Sequence, residues 1–254
     1  MPTLVFQQPD RFSGKGLSLS LSLRIRSKVL EVLRDLENIT KRFGKAGSVS
    51  PVWGTTTVGI SCRDGVIFAS DTRVVQGYYF IAHKRGKKIL KIDDYIAATI
   101  SGGVADAQAL IAALQWEART YKLERGINMP VKAAANIASI ILSSTRMAPL
   151  YIQLMIGGYD RDGASLYVLD PLGGFSKEVF AGSGSGSPVA LGYLEAELKT
   201  PIDTSSAIPT AIKAILAAMQ RDTATGNDFE VMVVDSKGCR ELSPEEKARY
   251  VKPA

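Results

Sequence analysis

The predicted secondary-structure elements of this chain come in segregated runs, and this order limits the possible folds more than any other feature. Residue patterns predict strands over 55–61, 66–71, 78–82, 88–92 and 95–101, followed by helices over 105–125 and 131–146. Further strands are predicted at 151–157, 165–169, 177–181 and 228–234, with helices at 188–198, at 207–221 and from Ser243. Segregated runs favour antiparallel sheets covered by helices, an α+β fold, over an alternating parallel fold.

The size and composition of the chain are typical of one globular domain with room for an appendage. The chain has 254 residues, of which 46% are hydrophobic. Its apolar runs fall short of the ~20 residues that span a bilayer, and its start lacks the pattern of a secretory signal. Cys62 and Cys239 have no metal-ligand spacing, and His83 is the only histidine. We therefore expect a cytoplasmic protein without a membrane segment, metal or cofactor.

The net charge of +6 is concentrated in the first 54 residues. That segment holds nine Lys or Arg and four Asp or Glu, whereas the remaining 200 residues carry a net charge of only +1. A surface that binds a phosphate backbone needs basic residues clustered on the folded body. We therefore expect no nucleic-acid partner.

The segment 1–54 has a pattern of its own. Alternating leucines predict a strand near 17–25, helical spacing predicts a helix after Ser27, and Gly, Ser and Pro residues form a linker up to Trp53. The segment is rich in Arg and Ser, as organelle transit peptides are. A cleaved propeptide and a wrongly assigned start are the two alternatives.

The linker leads to Gly54, Thr55 and two further threonines at the head of an apolar strand. If the bond between Gly54 and Thr55 is cut, Thr55 carries both a hydroxyl nucleophile and a free α-amine. An α-amine has a pKa of roughly 7.7 to 8, so near neutral pH it can accept the hydroxyl proton. Threonine paired with its own amine is a recognised catalytic arrangement, although a run of threonines also simply favours a strand.

Several ordered motifs resemble successive landmarks of proteasome β subunits, especially the archaeal form. They lie at residues 55–60, 65–73, 86–89, 101–106, 182–188 and 220–222. The resemblance covers residues 55–242 and implies a four-layer αββα sandwich of the N-terminal-nucleophile hydrolase type. It also implies sevenfold β rings that stack with rings of α subunits, a regulatory ATPase that acts on the whole particle, and unfolded proteins as substrates.

The same resemblance implies the roles of individual residues. Thr55 is the nucleophile, Gly102 provides an oxyanion N–H, and Asp71 pairs with a buried lysine. Ser185 and Asp222 support the threonine amine, and Thr225 stands where the family commonly has serine. Gly54 and Thr55 form the cleavage site. The substrate pocket is lined by Val74, Leu90, Ile100 and Val104, which predicts cleavage after apolar residues or with little selectivity.

The choice of lysine rests on the strand pattern as well as on the resemblance. Counting from Thr55 without gaps selects Lys87, but the tract 77–82 is one residue longer than the usual form, which moves the match to Lys88. Lys88 shares a strand face with Leu90 and Ile92, the more apolar side. We therefore predict that Lys88 is the buried lysine and that Lys87 is a solvated or inter-subunit charge.

The predicted function is that of a threonine endopeptidase of the proteasome core particle. Residues 1–54 are then a propeptide removed by autolysis, residues 55–254 form the mature catalytic domain, and the full chain is an inactive zymogen. One alternative is a noncatalytic or partner-activated ring subunit that keeps its propeptide. The other is a different N-terminal-nucleophile amidohydrolase that acts on a small amide.

Overall fold

The structure is a computed structural model that describes residues 54–77 and 80–251. The elements predicted before Gly54, and the start of the strand predicted at Tyr78, lie outside the described residues. The described strands are β1 (Thr57–Ser61), β2 (Gly65–Asp71), β3 (Val74–Gln76), β4 (Phe80–His83), β5 (Ile89–Asp93), β6 (Ile96–Gly102), β7 (Ile152–Asp160), β8 (Gly163–Leu169), β9 (Phe175–Glu178), β10 (Phe180–Ser183), β11 (Phe229–Asp235) and β12 (Gly238–Glu241). The described helices are α1 (Val104–Arg125), α2 (Val131–Ser144), α3 (Ser187–Glu197), α4 (Thr204–Arg221) and α5 (Pro244–Val251).

Ten of these strands form two five-stranded antiparallel sheets, and β3 pairs with β4 in a separate hairpin. The first sheet has the order β10-β1-β2-β11-β12 and the second has the order β5-β6-β7-β8-β9. The sequence does not predict β3 or β12, because strands of three and four residues are too short to show a period. The predicted α+β class with antiparallel sheets is confirmed.

Strand β2 shows why the two sheets stack face to face. All seven of its residues are buried, and successive side chains of a strand point to opposite faces. Ile67 and Ala69 pack into the apolar core that also contains residues of α3 and α4. Val66 and Phe68 point the other way and pack with Met155 of the second sheet. Both faces of the first sheet are therefore covered, one by helices and one by the second sheet.

The outer face of the second sheet is covered by the other helix pair. Leu114 of α1 and Ala135 of α2 share an apolar core with Leu154 and Ile156 of β7. The layers therefore follow the order helices, sheet, sheet, helices, with an apolar core between each pair of neighbouring layers. This is the predicted four-layer αββα sandwich.

The prediction of one strand over 177–181 is wrong, because the chain passes from one sheet to the other at Val179. Strand β9 pairs with β8 in the second sheet, whereas β10 pairs with β1 in the first. The carbonyl of Val179 accepts a hydrogen bond of 2.7 Å from the backbone N–H of Ser61. The crossing brings the glycine- and serine-rich segment after β10 next to the start of β1.

Helix α4 starts at Thr204, three residues before the predicted position. Asp64, in the turn between β1 and β2, accepts bonds from the backbone N–H of Thr204 at 2.8 Å and from its hydroxyl at 2.9 Å. The first backbone N–H groups of a helix have no partner inside it, so such a cap stabilises the start. The cap comes from 140 residues away in the sequence. The same helix ends at Arg221 and delivers Asp222 to the head of β1.

Candidate active site

Thr55 lies two residues before the start of β1 and is buried in the uncut chain. Its backbone nitrogen lies 3.3 Å from the Ser185 hydroxyl, and that hydroxyl lies 2.6 Å from Asp222 Oδ2. A serine hydroxyl has one proton and two lone pairs. Because the short bond to the carboxylate takes the proton, a lone pair of Ser185 remains for the N–H of Thr55. Asp222 therefore orients the Ser185 hydroxyl so that its oxygen accepts a hydrogen bond from the N–H of Thr55.

The carboxylate of Asp71 is fully buried and accepts four hydrogen bonds. Lys88 Nζ donates to Oδ1 at 2.6 Å, and the backbone N–H of Thr56 donates to the same atom at 2.8 Å. The backbone N–H groups of Arg73 and Gly226 each donate to Oδ2 at 3.0 Å. These four bonds fix the position of the Asp71 carboxylate, which contacts the backbone of Thr56, the residue that follows Thr55.

Lys88 and Lys87 lie in different environments. The side chain of Lys88 is only 5% exposed, whereas that of Lys87 is 58% exposed and donates to Glu241 at 2.7 Å. Burial lowers the pKa of Lys88, and the attraction of Asp71 opposes that shift without cancelling it. The hydrogen bond to Glu241 raises the pKa of Lys87. Of the two lysines, Lys88 is therefore the one placed beside the head of β1.

The loop after α4 joins these groups into one network. Thr225 donates to Asp222 Oδ2, and the hydroxyl oxygens of Thr225 and Thr56 lie 2.6 Å apart. Since the Thr225 proton is used on Asp222, Thr56 is the donor in the second bond. Hydrogen bonds therefore run without a break from Ser185 through Asp222, Thr225 and Thr56 to Asp71.

Gly102 ends β6 with a left-handed backbone, φ +107°. A side chain at this position would overlap the carbonyl oxygen of Tyr151, which instead accepts a bond of 2.9 Å from the N–H of Gly103. Only glycine fits this close approach without strain. The neighbouring Ser101 hydroxyl lies 3.0 Å from that of Ser183 in β10. Gly102 is thereby tied to the sheet edge that carries Ser185.

Buried hydroxyls between the two sheets were not among the predicted site residues. Thr57 Oγ1 lies 2.7 Å from Ser183 Oγ and 3.3 Å from Thr99 Oγ1, and all three residues are buried. These bonds connect β1 and β10 of the first sheet with β6 of the second. Of these residues, only Thr57 could have been predicted from the sequence, because alternation along the predicted strand puts it on the same face as Thr55.

Arg73 was also not among the predicted site residues, although it lies in the motif at residues 65–73. Its guanidinium donates to the carbonyl of Thr223 at 2.7 Å and to the side chain of Asn227 at 3.0 Å. Asn227 has a left-handed backbone, φ 62°. Arg73 therefore clamps the loop that carries Thr225, and its position two residues after Asp71 was the available sequence signal.

The four predicted pocket residues differ in burial. Ile100 is buried in the core under α1 and α2, and Leu90 packs against that core while half-buried. Val74 and Val104 are half-buried. None of the four carries a charge. Within residues 54–77 and 80–251, no cluster of three His, Cys, Asp or Glu is placed to hold a metal ion.

Two stacked antiparallel sheets between helix layers, with a threonine at the head of a strand of one sheet, define the class of N-terminal-nucleophile hydrolase folds. The proteasome subunit family model matches residues 52–234. The chain is 50% identical over 195 residues to the proteasome subunit beta of Methanocaldococcus vulcanius, covering 76% of this chain and 87% of that one. It is 47% identical over 194 residues to that of Methanothermobacter thermautotrophicus, covering 76% and 92%. The chain belongs to the proteasome subunit family and is similar to its β subunits.

None of the helices in the described part of the chain is long and apolar enough to cross a membrane.

Proposed function

We propose that this chain is a threonine endopeptidase subunit of a proteasome core particle and that Thr55 is its nucleophile. The observation that carries the proposal is the unbroken hydrogen-bond network from Ser185 to Asp71, which holds Thr55 at one end and Lys88 at the other. Membership of the family supports the activity of a protease. The proposal also covers the threonine chemistry, the roles of the site residues and the division of the chain at residue 54.

The uncut chain is inactive at this site, because residue 55 then has an amide nitrogen and no basic amine. In self-cleavage, Thr55 Oγ1 attacks the carbonyl carbon of Gly54 and an ester to Oγ1 forms. The bond from that carbon to the nitrogen of Thr55 breaks, and the hydroxyl proton passes to that nitrogen, which becomes the amine. Water then hydrolyses the ester, which leaves a carboxylate on Gly54 and a free amine and hydroxyl on Thr55. Cleavage therefore converts a zymogen into an enzyme.

In the mature chain, the α-amine takes the proton of Thr55 Oγ1 as the hydroxyl attacks a substrate carbonyl. Ser185 is placed to hold that nitrogen in one direction. The ammonium of Lys88, kept near by Asp71, lowers the pKa of the hydroxyl and of the amine through its positive charge. The N–H of Gly102 stabilises the oxyanion that develops. The amine then returns the proton to the leaving nitrogen.

The uncharged residues Val74, Leu90, Ile100 and Val104 support a pocket for apolar side chains. We expect a panel of fluorogenic peptides to be cleaved faster after apolar residues than after acidic ones. Equal or faster cleavage after acidic residues contradicts this assignment.

The names of the relatives support assembly into a core particle. The proposed partners are α subunits in stacked rings, other β subunits and a regulatory ATPase. The proposed substrates are unfolded proteins, and the proposed location is the cytoplasm. Exposed apolar residues on the described surface, including Trp116, Leu123 and Ile140, are available for such contacts.

Peptidase activity after co-expression with an α subunit tests the proposal. The wild type should form a large particle that cleaves peptides, and Thr55→Ala should form the particle without cleaving them. An assembled but inactive wild type favours a noncatalytic or partner-activated subunit. A small active species without α subunits favours an amidohydrolase of small amides.

A further inference from the structure

The residue before the proposed cleavage site lies in a closed slot. Gly54 is buried between the loop after α4 and strand β3. A methyl group added to Gly54 would overlap the side-chain carbon of Ala224, and it would lie 3.0 Å from Ala224 Cα and 3.0 Å from Val75 Cγ2. Carbon atoms at such separations are closer than van der Waals contact. The slot therefore admits a glycine and no larger residue.

Ala224 cannot easily move away, because the loop is held on both sides of it. The carbonyl of Thr223 accepts the Arg73 guanidinium at 2.7 Å, and Asp222 Oδ1 accepts the N–H of Ala224 itself at 3.3 Å. Beyond Ala224, the Thr225 hydroxyl bonds to Thr56, and the N–H of Gly226 bonds to Asp71. Shifting the loop would break bonds of the site network.

We infer that Ala224, backed by Val75, is a positioning residue that seats Gly54 for self-cleavage and restricts that position to glycine. This inference rests on the proposed function, because it concerns the bond that Thr55 must cut. Gly54 carries the carbonyl that Thr55 attacks in the proposed self-cleavage. A residue that is too large for the slot displaces the scissile carbonyl, and a displacement of about 1 Å can slow a reaction by about a hundredfold.

Rescue of one substitution by another tests this inference. We would express the full chain with an α subunit and follow the conversion of full-length chain to residues 55–254 by intact mass. Gly54→Ala should slow conversion by about a hundredfold. Adding Ala224→Gly removes the overlapping side-chain carbon, so the double variant should convert at least about tenfold faster than Gly54→Ala alone. Gly192→Ala is the matched control, because a methyl group there meets no atom within 4 Å outside its chain neighbours and the backbone of its own helix.

A wild-type conversion rate for Gly54→Ala would overturn the inference. A double variant that converts no faster than Gly54→Ala would also overturn it, because Gly54 would then be needed for its backbone freedom or for another contact. Ala224→Val with Gly54 intact provides a second arm. The larger side chain should fill the slot and slow conversion, and an unchanged rate contradicts the inference. If the wild type does not convert, the proposed function itself fails.

Discussion

Lys88 Nζ lies 2.6 Å from Asp71 Oδ1, and both side chains are buried. Breaking a buried pair leaves one charge without compensation. We predict that Asp71→Asn lowers the free energy of unfolding by about 3 kcal/mol and stops self-cleavage. Chemical denaturation of the separate subunit measures the first effect, and intact mass measures the second.

The control for this prediction is the exposed pair of Lys87 and Glu241, 2.7 Å apart. Surface pairs contribute less than about 1 kcal/mol, so Lys87→Met should cost little and leave cleavage intact. An equal loss of stability in Asp71→Asn and Lys87→Met would show that burial does not distinguish the two ion pairs.

The pH profile of peptidase activity should show the lowered pKa of Lys88. Activity rises as the α-amine of Thr55 loses its proton, below the roughly 7.7 to 8 of an ordinary α-amine, because the positive charge of Lys88 lowers the pKa of the amine. Activity then falls as Lys88 loses its positive charge. Because burial lowers the pKa of Lys88, the falling limb should lie below the ordinary lysine value of 10.5.

Measurement of kcat/KM from below neutral pH to above pH 10.5 checks this profile, with Lys87→Met expected to give the same curve as the wild type. A falling limb at or above 10.5, or one that moves in Lys87→Met, would argue against Lys88 as the charge that matters.

The start of α4 offers a test of the fold away from the site. Asp203 stands at the capping position, but its side chain makes no capping bond, whereas Asp64 bonds Thr204 twice. We predict that Asp64→Ala lowers the free energy of unfolding by about 1 kcal/mol. Asp203→Ala, whose contact with Arg63 is exposed and 3.7 Å long, should change it by less than about 0.5 kcal/mol. The reverse order in chemical denaturation would refute the assignment of the cap.

Local patterns in the sequence predicted antiparallel sheets covered by helices and the four main helices, whereas the αββα order of layers was implied by the resemblance to proteasome β subunits. The burial of Lys88 was predicted from the strand pattern together with the resemblance, and the structure places that side chain in a buried position against Asp71. Features that depend on residues within one strand or helix can be predicted from local sequence patterns.

Features that depend on distant contacts did not follow from local patterns. The strand predicted at 177–181 breaks at Val179 because its two halves pair with different strands. The bond from Gly226 to Asp71 joins residues 155 positions apart, and Asp64 caps a helix 140 residues away. Nothing in the local sequence marks these partners, because they meet only when the two sheets stack.

The most direct test of the proposed nucleophile is the intact mass and N-terminal sequence of the chain after co-expression with an α subunit. The wild type should yield a chain that begins at Thr55, and Thr55→Ala should keep the bond between residues 54 and 55. A wild type that remains full length inside an assembled particle would contradict the catalytic assignment. Cleavage of Thr55→Ala at the same bond would contradict self-cleavage by Thr55.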